Sequence, residues 1–229
     1  MKTIYEGKTK RVLFDEVAED YFLLFKDDAT GENGVFDPGS NTVGGTSRGK
    51  GKNGLKIACY FFELMEKNGI PTHFLGADIE NCLMKVRKID VPPLEFVLRY
   101  VTAGSMCRRF SIEPGLIFDP PYAEVTLKDD DMGDPLISER LCLMKGFLKE
   151  GEYDEALGVL AKAGEVLKAE VKKMGLTLID FKLEFGWDEN RNLYIADEIT
   201  PDIWRVQDEN GNIPNQIECA ELIISSIAG

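Results

Sequence analysis

Leu178-Ile179-Asp180-Phe181-Lys182-Leu183-Glu184-Phe185-Gly186 is the stretch on which the fold turns. Side chains on a β-strand alternate faces with period two. Read as a strand, this segment sends Phe181, Leu183 and Phe185 to one side and Asp180, Lys182 and Glu184 to the other. The aromatic side is core. The opposite side sets an ammonium between two carboxylates, each about 7 Å along the strand from it. On a solvated sheet such a stripe has little energetic value, and that plain reading stands beside a functional one.

The next residues favour function. Residues 176–187 and 193–198 read as a hairpin around a polar turn at Asn190. Its second arm, Tyr194-Ile195-Ala196-Asp197-Glu198, brings further acids alongside Glu184. Carboxylates converging from paired strands repel each other unless a metal ion or an ammonium offsets them. Hard oxygen ligands suit Mg²⁺, which is commonly held through one or two carboxylates plus substrate phosphates. Thr200-Pro201-Asp202-Ile203-Trp204-Arg205 then presents an acid and a guanidinium from one turn. The guanidinium suits a carboxylate or phosphate.

Working outward, the same strand logic applies to Tyr21-Phe22-Leu23-Leu24-Phe25, a short apolar run bounded by charges. Leu55, Ala58, Cys59, Phe62 and Met65 recur at helical spacing, with Asn68-Gly69 as the stop and Pro71 beyond it. Leu157, Leu160, Ala161, Gly164, Leu167, Val171 and Met174 mark one face of a long helix ended by Gly175. A closing helix is expected over residues 216–227. Residues 30–53, rich in glycine and carrying Arg48, Lys50 and Lys52, read as a mobile loop over a cleft. Pro92-Pro93 reads either as a joint between two lobes or as a strand breaker at a sheet edge. The mixture points to α+β rather than strict βαβ alternation.

Three other segments offer contacts for an anion. Gly7-Lys8-Thr9-Lys10 falls between strand-like stretches, so its lysines project from a hairpin turn that could cover a polyphosphate. It is no Walker A loop, and a solvated turn is the commoner explanation for such a tetrapeptide. Arg99 precedes Ala103-Gly104-Ser105-Met106-Cys107-Arg108-Arg109, a small-residue turn leading into a helix that exposes amides and a hydroxyl. Lys128 sits in an acidic loop through Asp134.

The chain has 229 residues, 44% of them apolar, with 22 Gly and 10 Pro, which excludes collagen, coiled coil and wholesale disorder. Forty acidic against 27 basic residues give a net charge of −13, which argues against a nucleic-acid or anionic-membrane surface. Phosphate-binding cations must then be concentrated in one cleft. The five cysteines are scattered without a CxxC pair, so reduced thiols in a cytoplasmic protein are expected. Neither a signal peptide nor a transmembrane span is expected from the apolar runs. One histidine, His73, excludes HExxH zinc chemistry and is read as structural.

Taken in order, GKTK, DDATGENG at residues 27–34, VPPLEFVLRYVTAGSMCRRF at 91–110, LKDDDMGDP at 127–135, LIDFKLEFG at 178–186 and ADEITPDIWR at 196–205 resemble the SAICAR synthetase family. The resemblance covers roughly residues 3–208. It implies a two-lobed α+β fold: a β-rich nucleotide-binding lobe over residues 1–91, kinase-like or ATP-grasp-like, and a mixed substrate- and metal-binding lobe over 92–229, with ATP between them. It implies an ATP-dependent ligase of purine biosynthesis that joins L-aspartate to carboxyaminoimidazole ribotide through an acyl phosphate. Alternatives are a paralogous ligase or phosphotransferase acting on another phosphorylated carboxylate, and a non-catalytic nucleotide-binding relative.

By position, the resemblance gives Gly7, Lys8, Lys10, Lys128 and Val91 to ATP, with Val91 at the adenine-facing joint. It gives Glu184 and Asp197 to Mg²⁺–ATP. Asp180 and Lys182 face the reacting carboxylate, the acid through a magnesium ion shared with Glu184 and Asp197 and the lysine directly. Arg99, Ser105, Asp202 and Arg205 are given to the ribotide. Self-association is implied as well. The chain departs from the family pattern at Gly54, Tyr100, Ile203 and Trp204, changes expected on the substrate side.

Overall fold

The computed structural model describes residues 1–32, 34–37, 40 and 42–227. β1 (Lys2–Glu6) and β2 (Lys10–Asp15) form a hairpin around Gly7-Lys8-Thr9, and β3 (Asp20–Phe25) pairs next to β2. A small separate sheet of β4 (Asp28–Glu32), β5 (Val35–Phe36) and β6 (Val43–Thr46) follows, then α1 (Lys50–Lys67). β7 (Phe74–Asp78) and β8 (Leu83–Val86) return to complete a five-stranded sheet in the order β1-β2-β3-β8-β7.

The chain then passes Pro92-Pro93 into a second sheet. It contains β9 (Leu94–Val101), β10 (Ile117–Leu127), β11 (Thr177–Trp187) and β12 (Leu193–Ala196) in the order β10-β9-β11-β12, and β13 (Trp204–Gln207) pairs with the early part of β11. The helices α2 (Ser105–Phe110), α3 (Glu139–Met144) and α4 (Glu152–Lys173) interrupt these strands, and α5 (Gln216–Ile227) closes the chain. Every strand pair is antiparallel. The architecture is therefore α+β, with a five-stranded sheet in each of two lobes and a further sheet of three strands. Isolated bridges from Thr72 to Ile195 and from Asp90 to Trp187 join the two halves of the chain through main-chain hydrogen bonds.

Alternation along β11 is as its composition predicts. Phe181, Leu183 and Phe185 are buried beneath α4, while Lys182 and Glu184 face the opposite side. β9 repeats the pattern: Phe96, Leu98 and Tyr100 point into the core, and Glu95, Val97 and Arg99 share the face of Lys182. One continuous apolar core runs under both sheets, because α1 packs against β3 and β7 on one side and α4 and α5 on the other. Gly69 and Gly175 end α1 and α4 at positive φ, as helix stops require. The buried face of α4 centres on Leu160, Ala163, Gly164 and Leu167, whereas Ala161, assigned to it from spacing, is exposed.

Two expectations are corrected. Residues 30–53 do not form one loop: they supply much of the β4–β5–β6 sheet and the first turn of α1, apart from Asn33, Pro38, Gly39 and Asn41, which lie outside the described residues. Glycine serves close approach here. A Cβ on Gly31 would lie 2.1 Å from the Val35 carbonyl oxygen, and one on Gly44 would lie 2.8 Å from Gly31.

The departures at Gly54 and Tyr100 also lie on the core side, not beside the cleft. Gly54 faces the Phe25 ring, Tyr100 sits under Lys168 of α4, and Trp204 meets Phe61 edge-on at 5.1 Å. Ile203 and Trp204 both border the arginine-lined cavity of the cleft, and Ile203 borders its largest cavity as well. Among the described residues no helix is long and apolar enough to cross a membrane.

Each aromatic on the buried side of β11 fills core volume that nothing else can occupy. Phe181→Ala and Phe185→Ala are each expected to lower stability by about 3–5 kcal/mol. Urea denaturation followed by far-UV circular dichroism measures this, and a loss below about 1 kcal/mol would contradict the packing.

Candidate active site

A long cleft lies along the charged face of β11, and three adjoining cavities compose it. The largest, about 620 Å³, is bordered by the Gly7–Thr9 turn, Lys10, Lys128, Glu184, Asp197 and Glu198. A more apolar cavity of about 420 Å³ opens from it, walled by Tyr21, Leu23, Val86, Ile89, Val91 and Pro92. A third, about 230 Å³, is lined by Arg99, Ser105, Arg108, Arg109, Asp180 and Arg205. Glu95, Lys182, Asp202 and Ile203 border both the first and the third.

Lysines answer acids in the first cavity. Lys10 projects from the start of β2, makes an ion pair with Glu198 and lies 3.2 Å from Asp197. Lys128 pairs with Glu184. Lys8 reaches across the cleft from the β1–β2 turn to Asp130, at 2.7 Å. Burial alone would lower the Lys10 and Lys128 ammoniums, but the neighbouring carboxylates outweigh it and hold both above their ordinary range. Burial, reinforced by the Asp197 charge, pushes Glu184 up to about 7 despite Lys128. Asp197 moves the other way. Burial would raise it, yet Lys10 and Lys128 hold its carboxyl below the usual value. Asp197 also sits at φ 58, and its carbonyl oxygen is 3.2 Å from Nε2 of His73. Desolvation lowers that imidazole to about 4, so His73 is a neutral brace behind the site.

Sheet register builds the third cavity. Asp180 on β11 stands opposite Arg99 of β9 on one side and Arg205 of β13 on the other. Its Oδ2 accepts from Arg99 Nη1 at 2.5 Å and from Arg205 Nη1 at 2.7 Å, and its Oδ1 accepts from Arg205 at 3.0 Å. The structure does not bring Asp180, Glu184 and Asp197, expected to share one metal ion, to the same cavity. Asp180 is enclosed by two guanidiniums in a different cavity, and only Glu184 and Asp197 border the same one. Among the described residues no group of three or more His, Cys, Asp and Glu is placed to hold a metal.

Lys182 stands between the two polar cavities, paired with Glu95 at 2.7 Å. Burial disfavours its charge, but Glu95 more than restores it, so the ammonium is kept above its usual range. Asp202 is held at 2.5 Å by Lys50 from the first turn of α1. Reading β11 alone missed Lys50, Glu95 and Glu124. The same period-two reading applied to β9 and β10 would have found the two acids. For Lys50, one of the cations expected over the cleft, residue order does not give the partner, because Asp202 is 152 residues away.

The sequence model of the SAICAR synthetase family matches residues 3–218. The chain belongs to the SAICAR synthetase family. The phosphoribosylaminoimidazole-succinocarboxamide synthase of Finegoldia magna is 40% identical over 212 residues, covering 93% of this chain and 88% of the relative. The enzyme of that name from Clostridium tetani is 40% identical over 229 residues, covering 98% and 100%. Among solved structures, a SAICAR synthetase in complex with ADP superposes with a TM-score of 0.86 at 32% identity, covering 98% of this chain and 97% of that one. The SAICAR synthetase of Pyrococcus horikoshii gives 0.83 at 31% identity, covering 96% and 97%.

One glycine is decisive for this family member's third cavity. Gly104 has φ 63, and a Cβ there would lie 2.4–2.7 Å from the Arg205 guanidinium. Gly104→Ala is therefore expected to displace the Arg205 guanidinium and break its bonds to Asp180, at a cost of about 1–3 kcal/mol of stability. Urea denaturation of the variant beside the wild type measures the loss.

Proposed function

We propose that this chain is the ATP-dependent ligase that joins L-aspartate to carboxyaminoimidazole ribotide, releasing ADP and phosphate. The observation that carries this reading is the junction at Lys182. One charged ammonium borders both a cavity whose cations are lysines and a cavity rich in arginines, chemistry that suits a polyphosphate in the first and a phosphorylated carboxylate in the second. The printed names of the relatives and the ADP complex of a close structural neighbour support it.

In this reading, residues 1–91 form the nucleotide lobe and residues 92–229 the substrate lobe. Adenine enters the apolar cavity beside Val91, and Gly7, Lys8, Lys10 and Lys128 surround the triphosphate. Arg99, Ser105, Asp202 and Arg205 hold the ribotide. A carboxylate is a poor acyl donor at neutral pH, so its priming by the γ-phosphoryl group makes amide formation feasible. Phosphoryl transfer depends chiefly on positioning and charge neutralisation. Lys182 is placed to steady the charge on the carboxylate as it is phosphorylated. Asp180 keeps Arg99 and Arg205 oriented toward the reacting group. The aspartate amine then displaces phosphate, with no covalent enzyme intermediate needed.

Two carboxylates flanked by ammoniums fit Mg²⁺, which completes its shell with phosphate oxygens. Glu184 and Asp197 would hold it, and when bound it offsets triphosphate charge. We further place the protein in the cytoplasm, with small-molecule partners, no nucleic acid or membrane partner, and self-association. Its cysteines are all unpaired among the described residues, and its net charge is −13.

Purified protein with ATP, Mg²⁺, carboxyaminoimidazole ribotide and L-aspartate is expected to release ADP only when both acceptor substrates are present. Release without either one, or none at all, would overturn the assignment. Lys182→Ala is expected to lower kcat by about 10²–10³-fold, with the fold retained.

A pH effect follows from Glu184. Its raised pKa leaves the carboxyl about half protonated near pH 7. A cation arriving with nucleotide lowers that pKa, so binding of Mg·ADP releases protons near neutrality and fewer above pH 8. Calorimetry in buffers of different ionisation enthalpy measures the release, which Glu184→Gln is expected to abolish.

A further inference from the structure

We propose that Glu124, a residue of β10 behind the third cavity, is a positioning residue that fixes the arginines receiving the phosphate monoester of the substrate. The proposal rests on the functional reading above. β10 places Glu124 opposite Val97, one step along the same sheet face from the Tyr122–Arg99 pair. Its side chain is only 2% exposed, so it cannot touch a ligand. Its Oε1 accepts from Arg99 Nε at 3.1 Å and Nη2 at 2.7 Å, and from Arg109 Nη2 at 2.7 Å. Its Oε2 accepts from Arg109 Nη2 at 2.8 Å.

With the Asp180 contacts, these bonds make a continuous row: Arg109, Glu124, Arg99, Asp180, Arg205. Three cations alternate with two anions, so the row carries one net positive charge. The terminal arginines are the accessible ones, with side chains 25% and 21% exposed against 4% for Arg99. A buried carboxylate that binds two guanidiniums sets where each points, because guanidinium donors lie in a fixed planar fork. Glu124 also ties α2, which carries both Ser105 and Arg109, to the sheet. Without the carboxylate, Arg109 would lose its acid and Arg99 would keep only Asp180, so the two guanidiniums would repel and turn apart. The phosphate would then meet a cavity of the right charge and the wrong geometry.

Glu124→Gln keeps the shape and removes the charge. With ADP saturating, calorimetric affinity for ribose 5-phosphate is expected to fall by at least about tenfold. KM for carboxyaminoimidazole ribotide should rise in the same proportion, with ADP affinity and KM for L-aspartate unchanged. Glu124→Gln combined with Arg109→Ala should cost little more than either alone, since the two act as one unit. A folded Glu124→Gln protein with wild-type affinity for ribose 5-phosphate would overturn the proposal. So would an equal loss of ADP affinity, which marks a merely structural role. If Glu124→Gln fails to fold, Arg109→Ala decides alone: the tenfold loss supports the proposal, and unchanged affinity overturns it. A wild-type protein that binds ribose 5-phosphate but turns over neither acceptor would sink the ligase reading and leave this one standing. Absence of binding by the wild type would sink this one.

Discussion

Charge neutralisation along the cleft is the constraint on which this structure depends. Removing a carboxylate or an ammonium from water costs several kcal/mol unless a partner of opposite charge is fixed beside it. Here each buried charge has one: Lys10 with Asp197 and Glu198, Lys128 with Glu184, Lys182 with Glu95, Lys50 with Asp202, and Asp180 with two arginines. These pairs do not stabilise the fold much as a group, because Coulombic gain is set against desolvation. Their effect is geometric. Once the core beneath β9 and β11 is packed, the charges can occupy only the places their partners allow, and that is preorganisation in its physical sense.

The core and the cleft are two faces of the same strands, which is why so much was legible from LIDFKLEFG. Period-two alternation places Phe181, Leu183 and Phe185 beneath α4 and turns Asp180, Lys182 and Glu184 to the cleft. Residues one pleat apart then serve different cavities, and this was not legible. Which neighbour stands beside Asp180 depends on the β9-β11-β13 order, a contact between residues 81 and 25 positions apart. A single strand gives its faces and not its neighbours, so three aligned carboxylates looked like one metal site.

Composition misled in a different way. Glycine in residues 30–53 looked like flexibility, whereas Gly31 and Gly44 let two strands approach more closely than any side chain permits. Departures from a family pattern misled for a third reason. Tyr100 follows Arg99 in sequence and therefore points to the opposite face, under α4, where it changes packing and not recognition. Adjacent positions on a strand are the ones least able to share a role.

The chemistry of the cations divides along the same lines. Around the largest cavity they are lysines, point charges on flexible stems that can follow a polyphosphate as it changes during transfer. Around the third they are arginines held by Glu124 and Asp180, forks whose fixed geometry suits a group that should not move. Lys182 stands where the two sets meet, the cation of β11 that borders both cavities. A phosphoryl group passing from a mobile donor to a stationary carboxylate needs compliance on one side, rigidity on the other, and a charge common to both at the crossing. In the proposed reading, the order Asp180, Lys182, Glu184 along one strand supplies a residue to each of these three places. For that reason the alternation of a single strand couples the packing of the core to the division of the active site.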